Sequence, residues 1–531
     1  MVDEGRSFTI EGDATHPANG GLLCERSDAL ARQETLEGRL LHPVVEGKRQ
    51  RWDKAIAHGA QRLSAILARH GPGSIALHVG GGLLTEDYYV ANKMMKGFCG
   101  SAHIHAPALA GAAGVRRAAF GEDVAPGAIE DVGLARLILI VGDAIAHRHP
   151  VLIDRVRAAR AAGAAVILLG GDAAVLGQAV DGHMPVAPGR EARLIGGLLH
   201  HAIDTGLADG GMLVRGDGGV AALRVRLGPG HDLWSVARDC GVPPSDLRAF
   251  YERWAAIPAC VTLHPDDAVD TAALVMALHL ATGRIAKPGA GPIAMPVLAN
   301  AMGGREVGCV ADDLAAHRGF TTQGLADLER FWGARSLAQA PGLDGDALLD
   351  ALKDGRVRAL WSIGDADSAQ DWLAQARASG AFTIRSSHTE KDQGTGWNLL
   401  LPAPVWVEKD GAVTGMDRLV SRHRRLVDLP ADVRPDWWAI TRMAQAMGWG
   451  DAFHYERPAD IYREHARLTA YRNDGARLLD LRRHAPISNP AYDELTPWRW
   501  GDVPFDGGRF PTPDGQPRIV LPGDQPDAAI P

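Results

Sequence analysis

The sequence predicts an α/β protein: two interleaved Rossmann-like lobes around a cleft. Three observations predict it. Short, unbroken apolar runs, SIALHV (74–79), LILIV (137–141), AVILL (165–169) and ACVTL (259–263), have the length and character of parallel strands covered on both faces. Amphipathic or apolar helical stretches lie between them, and parallel strands need such crossover helices. At 531 residues the chain also exceeds what one core organises. The expected division is a first lobe from 51–125 with 290–410 and a second from 126–289. Residues 1–50 form a short opening section, and 411–531 an extension that completes the N-terminal region.

Composition bounds the function. The chain is 46% apolar and 23% charged, which are globular values. Its net charge of −8 argues against a nucleic-acid partner. Five cysteines, Cys24, Cys99, Cys240, Cys260 and Cys309, are scattered singly without a Cys-x-x-Cys. That pattern favours a reducing compartment and argues against a closed zinc site. The first residues carry no signal-peptide pattern, and no apolar run reaches the roughly 18 residues needed to span a bilayer. The expected location is therefore the cytoplasm, away from membranes.

In chain order, MVDEGRSFTIEGDATHPANGGLLCERSDAL reads as a small hairpin and a polar turn at Pro17 to Gly21. Residues 53–69 place Ile56, Ala60, Leu63 and Leu67 on one helical stripe. SIALHV then runs into Gly80-Gly81-Gly82, a turn that could cradle phosphate on backbone N–H groups or serve as a tight turn alone. The next helix begins at Thr85, which can cap it; Glu86 and Asp87 favour its positive end, and it closes at Gly97. Further helices are expected from Pro150 to Ala162, over 245–256 and over 269–283. Asp266, Asp267 and Asp270 read as a solvated turn with Asp270 near a helix cap, or as paired carboxylates for acid–base work. His16, His103, His105, His147, His149, His200 and His201 are the nitrogen donors considered. His103 and His105 in an extended loop could face one ion, but a third ligand is not evident. The adjacent His200 and His201 diverge on a helix and read as surface and boundary residues.

Several longer runs carry a resemblance. TEDYYVANKMMKGFCGSA (85–102), NAMGGREVG (300–308), the LLP and EKDG features within 399–424, Thr389-Glu390, and RPDWWAITRMAQAMGWGDAF (434–453) resemble molybdopterin-guanine-dinucleotide oxidoreductases, specifically assimilatory nitrate reductases. The resemblance implies bis-molybdopterin guanine dinucleotide, molybdenum and a four-iron cluster as the family's cofactors. It implies a molybdenum-binding cysteine in the loop that here reads HIHAPALAGAAG (103–114). Cys24 matches the last cysteine of the family's cluster motif, and its three companions would precede Met1, so 1–50 reads as a remnant. Where the family grips guanine and phosphate, this chain has Gly170-Gly171-Asp172-Ala173-Ala174, HPDDAVDTA and Gly364-Asp365-Ala366-Asp367. The family's C-terminal pterin-closing domain would follow Pro531.

The expectation is a non-redox binding or scaffold subunit without catalytic or metal-binding residues and without cofactor. Gly80, Gly81, Gly82, Arg305 and Thr389 are its expected cleft contacts, with Arg305 either binding an anion or pairing with Glu306. Its expected partner is another subunit of a nitrate-assimilation or related redox complex. The alternative is a molybdenum-dependent nitrate oxidoreductase whose missing parts come from another chain or a wrongly assigned start.

Overall fold

The computed structural model describes residues 10–31, 35–208, 219–365 and 368–524. Most of the expected opening hairpin, the start of the section at Leu213, and Ala366-Asp367 lie outside the described residues. The described part is a mixed α/β structure with two largely parallel sheets and a small antiparallel one.

The first sheet runs Lys48–Arg49, Val44–Val45, Leu399–Pro402, Phe382–Ser387, Ala359–Ile363, Ile75–Val79, Ile104–His105. Every pairing from Leu399–Pro402 to Ile104–His105 is parallel, and only the Val44–Val45 and Lys48–Arg49 edge is antiparallel. The second sheet, all parallel, runs Gly182–Met184, Ala165–Leu169, Leu137–Val141, Cys260–Pro265, Gly291–Met295. Gly291–Met295, which the sequence pattern places in the first lobe, therefore belongs to the second sheet. It lies at an edge, where Pro292 costs no ladder hydrogen bond.

Alternation along the strands explains the layers. Leu137, Leu139 and Val141 face one core with Glu191–Asp204 and Val269–Ala281, while Ile138 and Ile140 face another with Pro150–Ala161. Unbroken apolar strands are what two covered faces require. The first sheet packs the same way, with Leu77 and Trp361 toward Trp52–His70 and Thr85–Asn92, and Ala76 and Leu360 toward Gly345–Lys353 and Ala369–Ala378. The third sheet joins Gly411–Thr414, Leu419–His423 and Trp498–Arg499. The last described segment does not return to the N-terminal region alone: Phe505 and Phe510 stack on each other and on Phe120, in the core of the second sheet.

The Thr85 helix differs from its expected form. Leu84, not Thr85, is the N-cap residue, and the Asp87 carboxylate accepts from the Leu84 N–H at 3.0 Å. The helix does not close at Gly97. It widens into a π-turn over Lys93–Cys99 and ends at Gly100 in the left-handed region.

Candidate functional site

In open parallel sheets, ligands collect beyond the carboxyl ends of the strands where the chain reverses its direction of winding. In the first sheet that point lies between Ile75–Val79 and Ala359–Ile363, and in the second between Leu137–Val141 and Cys260–Pro265. Both ends carry charged side chains.

At the second sheet, four buried residues form a charge-balanced cluster. Arg116 donates from Nε to Asp123 at 2.5 Å and from Nη1 to Asp266 at 2.6 Å. Arg305 donates from Nε to Asp123 at 2.6 Å, and its Nη1 lies 3.4 Å from Asp266. Burial alone would raise the two carboxyls, but Arg116 and Arg305 outweigh it and hold both below the usual carboxylate range. Arg305 Nη1 also donates to the Leu109 carbonyl at 2.7 Å, and Asp266 accepts from the Ala112 N–H. The cluster thereby clamps the loop that follows His105. The cavity beside it holds only about 20 Å³, room for a single water.

Three expectations change here. Asp266 is not a solvated turn residue; it is 2% exposed and spent on two arginines. Arg305 pairs with Asp123 and Asp266 rather than Glu306. Glu306 accepts instead from the Thr414 hydroxyl at 2.9 Å and the Trp500 indole at 2.6 Å. Arg305, at 3% exposed, is a clamp on the loop and not a free cleft contact. Asp267 remains at the surface, paired with Arg148.

At the first sheet a pocket of about 150 Å³ opens at the winding reversal. Gly81 and Gly82 leave Ile75–Val79, and Gly364 and Asp365 leave Ala359–Ile363. Gly80 N–H donates to Ile363 O, Gly81 N–H donates to Asp365 O, and Asp365 N–H donates back to Gly81 O. A Cβ on Gly364, at φ +73°, would stand 2.5 Å from the Gly81 carbonyl, so the two turns approach this closely because residue 364 is glycine. The amides of Gly80 and Gly81 are thus used inside the protein, and the Asp365 carboxylate lies over Gly82, where a Cβ would meet it at 2.9 Å. These contacts of Gly80 and Gly81 are those of a tight turn.

The pocket's polar wall comes from elsewhere. His388 Nδ1 lies 3.1 Å from Asp365 Oδ1 at the mouth. Deeper, Lys409 Nζ lies 3.1 Å from Asp436 Oδ2 and 3.9 Å from Asp87. Burial pulls the Lys409 ammonium down, but Asp436 and Asp87 outweigh it and keep it charged above its usual range. Asp436 Oδ1 is buried without a hydrogen-bond partner. Thr389, expected as a contact, turns away: its hydroxyl accepts from the Lys391 N–H and caps the turn Glu390–Asp392. Its neighbour His388 lines the pocket instead.

The histidines considered as metal donors find other partners. Among the described residues, no three His, Cys, Asp or Glu side chains come together to hold an ion. His103 Nδ1 accepts from the Leu343 N–H, whereas His105 pairs with Asp344 and stacks on Trp372. Cys24, the match to a cluster cysteine, is half-buried and a free thiol. Burial pushes the thiols of Cys99, Cys260 and Cys309 up to about 12 and that of Cys240 to about 11, far from thiolate chemistry at neutral pH.

Two largely parallel sheets with charged side chains at their carboxyl ends agree with the family that comparison with known proteins shows. Residues 39–446 match the model of the molybdopterin oxidoreductase family, and the chain belongs to it. It is 37% identical over 511 residues to a nitrate reductase of Klebsiella oxytoca, covering 93% of this chain and 58% of that protein. A nitrate reductase of Shewanella frigidimarina is 32% identical over 543 residues, covering 97% of this chain and 58% of that protein. The chain therefore spans somewhat over half the length of these relatives. Its fold is similar to that of acetylene hydratase from Pelobacter acetylenicus, with a TM-score of 0.73 at 16% identity, covering 94% of this chain and 72% of that one.

The loop residues do not fit a protein-ligated molybdenum. Ala106, Pro107, Ala108, Leu109, Ala110 and Gly111 offer no side-chain sulfur or oxygen, and Leu109 is buried against Gly304.

Proposed function

We propose that this chain is a nitrate-reductase-like member of its family that works as a ligand-binding or scaffold subunit, without metal chemistry on its own loop. The observation that carries the reading is the loop 106–111, donor-free and clamped by Arg305 and Asp266. The phosphate-side turns support it. Asp143 accepts from the Asp172 N–H at 2.9 Å, Asp172 accepts from the Ala174 N–H, and Glu191 lies over Gly170, where a Cβ would meet its Oε1 at 2.7 Å. That concentration of carboxylates repels a pyrophosphate. Each charge-assisted hydrogen bond absent from such a site removes roughly 1.5–3 kcal/mol of binding.

In this reading the chain acts in the cytoplasm beside another protein subunit of a nitrate-assimilation or related redox complex. The pocket of Asp365, His388, Lys409 and Asp436 takes the place of the family's cofactor contacts. The test is metal analysis of the purified protein by plasma mass spectrometry, with an assay of nitrate turnover using an artificial electron donor. Molybdenum and iron far below one per chain, and no turnover, are expected. Ala108→Cys alone should change neither.

A second reading is favoured by the 37% identity to a nitrate reductase across 93% of the chain. It makes the chain part of a molybdenum oxidoreductase whose remaining parts lie outside this sequence. Stoichiometric molybdenum, or turnover above a protein-free control, would establish it and remove the first.

A further inference from the structure

The strands of the second sheet carry a second cavity at their other end, away from the cleft. Where Cys260–Pro265 and Gly291–Met295 begin, a pocket of about 330 Å³ opens. Leu207, Ala255 and Pro258 give it apolar walls, and Thr282, Arg284 and Lys287 make its polar side.

Arg284 is the unusual residue. It is 5% exposed, its guanidinium stacks 3.7 Å from the Trp254 ring, and Nη2 donates to the Trp254 carbonyl at 3.2 Å. Its Nη1 is buried with no hydrogen-bond partner. Several other buried arginines of this protein meet carboxylates, Arg39 with Glu408, Arg305 with Asp123 and Arg318 with Asp327, whereas Arg418 is held by the carbonyls of Trp500 and Gly501. Among the described residues, neither Arg284 nor Lys287 has an ion-pair partner. Burial with so little compensation lowers the Arg284 pKa below its ordinary value.

A buried cation is costly unless an anion or several acceptors offset it. The guanidinium fork matches a carboxylate bidentately, and Lys287 at the rim adds a second charge. The apolar walls exclude a fully solvated inorganic ion as the best complement. We propose that this pocket binds a small aliphatic carboxylate, its carboxylate against Arg284 and Lys287 and its short apolar body against Leu207, Ala255 and Pro258. The inference is independent of whether the cleft holds a cofactor.

Isothermal titration of the whole protein with hexanoate, with butyrate and inorganic phosphate as comparisons, tests it. Saturable hexanoate binding is expected, tighter than butyrate and tighter than phosphate. Arg284→Met should weaken it about ten- to a hundred-fold, the loss of a charge-assisted pair. Lys287→Ala, at an exposed position that leaves the fold intact, should weaken it several-fold. No saturable hexanoate binding, phosphate binding tighter than hexanoate, or affinities unmoved by Lys287→Ala would each overturn the proposal. Loss of binding in Arg284→Met supports it only if circular dichroism shows that variant folded; if it is unfolded, the response to Lys287→Ala decides.

Discussion

The carboxyl ends of the two sheets bury charge in different ways. At the second sheet, two arginines meet two aspartates and the sum is zero, with the loop drawn tight above them. At the first sheet, Lys409 faces Asp436 and Asp87, so carboxylates outnumber cations, and Asp436 keeps an oxygen without a partner. The balanced cluster leaves Arg116 Nη2 buried without an acceptor, but beside a cavity with room for only a single water. An unbalanced one keeps a demand for donors, and the larger cavity accompanies it. The contrast separates charges that hold the fold from charges that can recognise something.

The sharpest way to break the contrast is to unbalance the closed end. Arg305→Met leaves two buried aspartates against Arg116 alone and should cost about 3–5 kcal/mol, read as a fall in the urea midpoint. A loss below about 1 kcal/mol would mean that the cluster does not act as one structural unit.

The next effect appears as pH dependence. Glu86 is buried beside the open end, where its oxygens accept from the Ala412 N–H and the Tyr492 hydroxyl. Burial raises its carboxyl to about 7, against those hydrogen bonds. In the folded state it keeps a proton that the unfolded chain has lost, so its contribution to stability falls as pH rises from 4.5 toward 7. The fall amounts to about 3 kcal/mol and persists above about pH 7. Glu86→Gln should flatten this slope between about pH 5 and pH 8, measured by urea unfolding at both. A slope unchanged in the variant assigns the effect elsewhere.

At the open end, Lys409→Met leaves Asp87 and Asp436 without their cation and should cost about 2 kcal/mol. The cost should be greater at about pH 8 than at about pH 5, because burial raises the Asp87 carboxyl and its protonation relieves the site once the cation is gone. The lysine's own raised pKa keeps its contribution constant through that range and removes it only above its ordinary value. Equal midpoint shifts at both pH values would contradict this arrangement. The smallest effect belongs to Thr389→Ala, which removes a turn cap and should cost about 1 kcal/mol or less, with the pocket unaltered.

The strands are legible in the sequence because parallel sheets covered on both faces demand continuous apolar runs, and LILIV and AVILL meet that demand residue for residue. Gly291–Met295 is not, since its Gly-Pro start resembles a turn and only pairing with Cys260–Pro265 reveals a strand. Asp266 reads as solvated because one of its two arginines is 150 residues away in sequence. No local pattern announces such a pair. The pocket does leave a signal: Asp365 comes two residues after one strand end and His388 directly after another, where ligand-facing residues concentrate. Lys409 and Asp436 leave none, since they arrive from segments outside the sheet.

The Thr85 helix carries one more consequence, about the order in which the molecule is assembled. All eight residues of Thr85–Asn92 are buried, and its polar groups are answered from far along the chain. Glu86 meets Tyr492, 406 residues later, and Lys93 in the turn that follows meets Glu464, 371 residues later. During synthesis at about 5–20 residues per second, Glu86 precedes its partner by roughly 20 to 80 s. For that interval the helix has no environment in which its carboxylate and ammonium groups can be enclosed. It must wait open until Glu464 and Tyr492 have been made. An N-terminal fragment stopped before residue 460 should accordingly fail to protect the amides of residues 88–99 from hydrogen exchange, while the full chain protects them.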